Sequence, residues 1–144
     1  MLHICSILGF GMKKILLLML TVSLSMAGEW VVVASPSFKH GSLSAKQIRE
    51  VFLKKKGFID NQEVFPVNLG ANDKGRISFE ERLLGMDRGE LVGYWANQHY
   101  QGITPPVTQK SQAGVKAFVR SVKGAIGYIE KSQLEPDMKV LYEF

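Results

Sequence analysis

The run Asn72-Asp73-Lys74-Gly75-Arg76-Ile77-Ser78 is where this chain gathers residues able to hold a small charged ligand. A polar loop that feeds a helix leaves free backbone N–H groups at the helix start, and such groups attract anions. Arg76 offers a bidentate grip on an oxyanion, and Gly75 lets a ligand come close to the backbone. Asn72 and Ser78 bound the same stretch. Its spacing also fits a plain surface turn with Asp73 as helix N-cap, and the sequence leaves both readings open. Ser35 and Ser37 follow the first apolar run. Their two hydroxyls can face the same ligand or simply shape a turn.

Other chemistry finds no residue set. His40 and His99 stand outside any metal-ligand spacing, so each reads as a surface or capping residue. The serines lack a GxSxG elbow, and there is no GxGxxG or Walker loop. Glu80 and Glu81 are adjacent, so their carboxylates point to different helix faces and read as solvated rather than as an acid–base pair. These features predict a binding protein, not an enzyme, with no metal and no cofactor. The cationic run Lys54-Lys55-Lys56 falls at a helix end, where positive charge complements the helix dipole. No aromatics are interleaved with it, so nucleic acid is not an expected partner.

The elements that must position these residues alternate. Trp30 to Ala34 (WVVVA) reads as a buried strand. Ser44 caps a helix from about Ala45 to Lys55, with Ile48, Val51 and Phe52 on one face, and Gly57 ends it. Glu63 to Leu69 reads as a second strand, with Pro66 near an edge or bulge. A helix from Arg76 to Leu84 stops at Gly85, and Asp87 caps the next, which carries Leu91, Tyr94 and Trp95. Gly102 to Pro106 is a rigid extended connection. Ser111 caps a helix bearing Val115, Phe118, Val119 and Val122. Ala125 to Ile129 and Met138 to Tyr142 complete the strands. Strands alternating with helices predict an α/β layer with a mixed, mostly parallel sheet flanked by helices.

The amino end has the layout of a secretory signal peptide: Lys13-Lys14, an apolar run from Ile15 to Leu24, then Ser25-Met26-Ala27. The run is shorter than the roughly 20 residues of a spanning helix. Residues 1–27 are therefore expected to be cleaved, with Met12 as an alternative start. Residues 28–144 remain as one α/β domain without a membrane anchor. Cleavage removes Cys5, the single cysteine, and lowers the formal net charge of +5 by two.

The order LSAKQIREVFLKKKGFIDNQEVFPVN (Leu43–Asn68), RISFEERLLG (Arg76–Gly85), Tyr94-Trp95, Pro105-Pro106 and GAIGYIE (Gly124–Glu130) resembles the phosphate-type periplasmic substrate-binding proteins of ABC transporters. That family has two α/β lobes clamping a ligand at their hinge, and this chain is similar to a single lobe. In the long phosphate binders an arginine and then Ser-Gly-Thr hold the anion. Here Lys74-Gly75-Arg76 stands in roughly that place, with Asp73 beside it. The resemblance implies a periplasmic protein that binds phosphate or a related oxyanion. It implies a site at Asn72, Gly75, Arg76 and Ser78, with Ser35 and Ser37, and a link to an ABC transporter permease. The alternative is an interaction or sensing module that docks on a membrane sensor or forms a homodimer without binding phosphate.

Overall fold

Five consecutive apolar residues, three of them valines, suit a strand covered on both faces. Trp30–Ala34 form that strand, β1, with every residue buried. The computed structural model describes residues 28–144, and the expected leader lies outside the described residues. After β1 come helix α1 (Ala45–Phe52) and a two-residue hairpin, β2 (Phe58–Ile59) and β3 (Gln62–Glu63). Strand β4 (Phe65–Leu69) leads to helix α2 (Lys74–Phe79), which widens into a π turn at Glu80–Leu84. Helix α3 (Arg88–Tyr100), strand β5 (Val107–Gln109) and helix α4 (Gln112–Ser121) follow. Strand β6 (Ala125–Glu130), a short 3-10 turn (Lys131–Gln133) and strand β7 (Lys139–Glu143) close the chain.

The central sheet has the order β5-β4-β6-β1-β7. β4 runs parallel to β5 and β6, whereas β1 runs antiparallel to β6 and β7. Four strands thus share one direction and β1 opposes them, giving a mixed, mostly parallel sheet flanked by helices. Pro66 is explained by the register: β5 pairs with β4 only from Val67 onward, so the missing N–H falls where β4 is locally an edge.

The expected caps are all in place. Ser44 and Gln47 form a reciprocal capping box on α1. Asp73, Asp87 and Ser111 cap α2, α3 and α4. Gly85 ends the π turn in the left-handed conformation, with φ 63°. Helix α1 stops at Phe52, three residues before the expected Lys55, because Lys54 turns left-handed at φ 59°.

The core centres on Phe79 and Tyr128, whose rings stack with centroids 4.3 Å apart, and Phe52 packs against Phe79 at 4.6 Å. The Tyr128 hydroxyl accepts from the Leu69 backbone N–H at 3.2 Å and donates to Asn68 Oδ1 at 3.1 Å. Burial pushes the Tyr128 phenol well above its ordinary pKa. This hydroxyl holds the carboxyl end of β4, from which the candidate ligand loop departs.

Candidate functional site

The carboxyl ends of β4 and β6 lie at one edge of the sheet, where open α/β folds bind their ligands. Residues 70–73 leave β4 there and Lys131–Gln133 leave β6. β1 begins at the same edge, since Trp30 pairs with Glu130. The segment Asn72 to Ser78, the end of the loop and the start of α2, therefore sits beside Trp30.

Asp73 accepts the Gly75 N–H at 2.8 Å, so one donor of the helix start is already used. Gly75 is buried with its Cα against the Trp30 indole. An added Cβ would lie 2.3 Å from two carbons of that ring. The close backbone approach expected of a ligand is thus made by Trp30.

Arg76 is largely enclosed. Its Nε donates to Glu80 Oε1 at 3.2 Å and its Nη1 to the Leu69 carbonyl at 3.0 Å. The Glu80 side chain is only 6% exposed and also receives Arg88 Nη2 at 2.8 Å. The same Arg88 nitrogen donates to the Ala71 carbonyl at 2.6 Å. One buried carboxylate thus sits between two guanidiniums and ties α2, the loop and the start of α3 together. Glu80 is not the solvated residue expected from the sequence. Glu80 and Glu81 do face different ways, but the inward one is buried and paired while Glu81 is exposed. Glu81 and Asp87 line the cavity beside this cluster as well, so three carboxylates stand with the two guanidiniums.

Asn72 is exposed and Ser78 half-buried. Asn72 lines a cavity of about 430 Å³ with Ala71, Ile77, Met86 and Arg88, and with the carboxylates of Glu80, Glu81 and Asp87. The side chain of Arg88 is 44% exposed, against 18% for Arg76, so Arg88 is the guanidinium that solvent and solutes reach. Across Trp30, Lys74, Lys131 and Ser132 line a second cavity of about 440 Å³ together with Glu29 and Glu130.

Ser35 and Ser37 are at the other edge, which corrects their expected place. Ala34 pairs with Ile126, near the start of β6, because β1 opposes β4 and β6. Five strand residues at about 3.3 Å each put the two hydroxyls roughly 15 Å from the loop after β4. They bond each other at 2.7 Å, and Phe38 N–H donates to the Ser35 carbonyl at 3.0 Å, so they form a turn.

Sequence reasoning missed Trp30, Glu80 and Arg88. The Arg76–Glu80 spacing of four on a helix was a visible signal. Arg88 reaches the pair only through the fold. His40 bonds Asp60 at 3.0 Å beside the β2–β3 turn, away from this edge. Among the described residues no group of three or more His, Cys, Asp or Glu side chains could hold a metal ion. No helix among them is long and apolar enough to cross a membrane.

No family model matches this sequence, and no curated protein matches it. Solved structures do match. An ABC-type phosphate transport receptor from Vibrio cholerae superposes with a TM-score of 0.63 at 17% identity, covering 80% of this chain and 45% of the receptor. A Clostridium perfringens protein of the phosphate ABC transporter substrate-binding type, solved with bound phosphate, gives 0.65 at 17% identity over 80% of this chain and 44% of its own. PstS from Borrelia burgdorferi gives 0.60 at 13% identity over 79% and 46%. At these identities the likeness is one of fold. The chain spans less than half the length of each.

Proposed function

We propose that this chain is a periplasmic solute-binding-like protein that takes phosphate or a related oxyanion at the carboxyl edge of β4 and β6. It catalyses no reaction and is linked to ABC-type phosphate uptake through a permease. The observation that carries this reading is the pair of guanidiniums held around Glu80 at the ligand-binding edge of the fold. Arg76 supplies a fixed field, braced by Glu80 and the Leu69 carbonyl. Arg88 supplies the accessible donors, and Asn72, Lys74 and Ser78 flank them. Gly75 serves by letting α2 lie against Trp30. An incoming anion shares the guanidiniums with Glu80, so binding is of moderate strength.

The test is calorimetric titration of inorganic phosphate into protein expressed from the full-length sequence and dialysed free of anions. Saturable binding is expected. Arg76→Ala weakens it by about 1.5–3 kcal/mol, the scale of a charge-assisted hydrogen bond, and Arg88→Ala by a similar amount. Absence of binding at millimolar phosphate, or full affinity in both variants, overturns the reading.

A second reading is favoured by α3. Only Leu91 of its thirteen residues is buried, while Val92 is 63% and Tyr100 89% exposed. Such a face, on a chain half the length of its structural neighbours, suits a module that docks on a membrane protein or a second copy. Light scattering that shows a dimer, lost on Tyr100→Glu, together with no heat from phosphate, selects this reading.

A further inference from the structure

At the edge of the sheet away from Arg76, where β4 and β6 begin, Lys39, Asn61, Gln62, Glu63, Phe65 and Lys123 line a cavity of about 330 Å³. That size lies at the lower end of the range of small-molecule sites. Gln62 is 5% exposed. Its Oε1 accepts the Lys39 backbone N–H at 3.0 Å, which fixes the orientation of the amide. Its Nε2 is buried and has no acceptor among the described residues. Buried donors are rarely left so, and each one that is calls for an explanation. Lys39 and Lys123 are exposed, and neither ammonium is in an ion pair among the described residues. Glu63 is the one carboxylate in a lining with two ammonium groups. The ring of Phe65 is 37% exposed beside them.

The geometry points to a second binding site here, for a small aromatic carboxylate. The carboxylate is placed between Lys39 and Lys123, over a floor that Gln62 forms with its amide held by the Lys39 backbone N–H. The aromatic body lies on Phe65 and the aliphatic stems of the lysines. The lining carries a net positive charge, and its apolar surface selects a ring over a bare inorganic anion. Nothing in this inference depends on phosphate binding at the far edge.

The experiment is a 15N NMR titration of protein expressed from the full-length sequence, with benzoate as the probe. Acetate lacks the ring, and benzyl alcohol lacks the charge. Benzoate is expected to give saturable shifts of the Gln62 side-chain amide and of the Lys39 and Phe65 backbone amides. Acetate and benzyl alcohol bind at least about tenfold more weakly, the loss expected for one good contact. Lys39→Ala with Lys123→Ala lowers benzoate affinity at least about tenfold, and both side chains are exposed, so the fold survives. The proposal is overturned by no saturable shift up to about 10 mM benzoate. Equal binding of acetate, or undiminished binding in the lysine double variant, also overturns it.

Discussion

Replacing Gly75 by alanine distinguishes packing from ligand approach as the reason for that glycine. A Cβ there would lie 2.3 Å from Cη2 and Cζ3 of Trp30 and 2.9 Å from Cε3. Carbon pairs prefer about 3.5–4.0 Å, so something must move by more than 1 Å. Trp30 cannot yield easily. It is 7% exposed, its N–H donates to the Phe144 carbonyl at 3.1 Å, and its own carbonyl accepts from Phe144 N–H at 2.9 Å. Overpacking of this kind costs about 1–3 kcal/mol. Alanine recovers roughly 0.5–1 kcal/mol over glycine in a helix. The net expected loss is about 1–2 kcal/mol, which lowers a urea midpoint by roughly 1 M at ordinary slopes. Far-UV circular dichroism in urea reads it without relying on tryptophan fluorescence. Trp30→Phe removes the outer ring where the clash lies. The double variant should therefore show a favourable coupling of about 1–2 kcal/mol. A Gly75→Ala protein as stable as the parent, or a double-mutant cycle with no coupling, refutes this account of Gly75.

Tyr128→Phe strands a buried Leu69 N–H and Asn68 Oδ1 and should cost about 1–3 kcal/mol in urea unfolding, with an unchanged slope. On the surface, Arg120 and Lys116 hold Glu135, and Arg120 holds Asp137. Hydrogen bonds from these cations pull the Glu135 and Asp137 carboxyls below their ordinary values of 4.5 and 3.8. Groups lowered in the folded state stabilise above their unfolded pKa and lose that contribution as pH falls through the folded one. Melting temperature should therefore drop on acidification below about pH 4.5. Arg120→Ala should flatten that limb, and an unchanged limb would count against the network.

Much of the frame could be read from the residues because its signals are local. Trp30–Ala34 and Ala125–Glu130 are continuous apolar runs, and Ser44, Asp87 and Ser111 sit one residue before the helices they cap. Short, exposed elements carry no such signal. The β2–β3 hairpin has two residues a side, and β5 has three, with Val107 53% exposed. The site divides along the same line. Asp73 as a cap and Arg76 near a helix start are matters of spacing. Gly75 meeting Trp30, and Arg88 meeting Glu80, join residues 45 and 8 apart through folding alone. The misplaced Ser35 and Ser37 follow from strand direction, which apolar patterning does not encode.

The position of β1 bears on how the sheet can be assembled. The earliest strand of the described chain lies between the two latest, pairing Trp30 with Glu130 and Val31 with Glu143. Both of its ladders wait for residues about a hundred positions downstream. A chain emerging amino end first must carry Trp30–Ala34 unpaired until nearly all of it is free. Closure of the sheet is then a single late event with a large loop-entropy barrier, and this topology folds slowly for its size. Until that event an entirely apolar strand stays open to wrong partners, so the interval before completion is when the chain is most prone to aggregate.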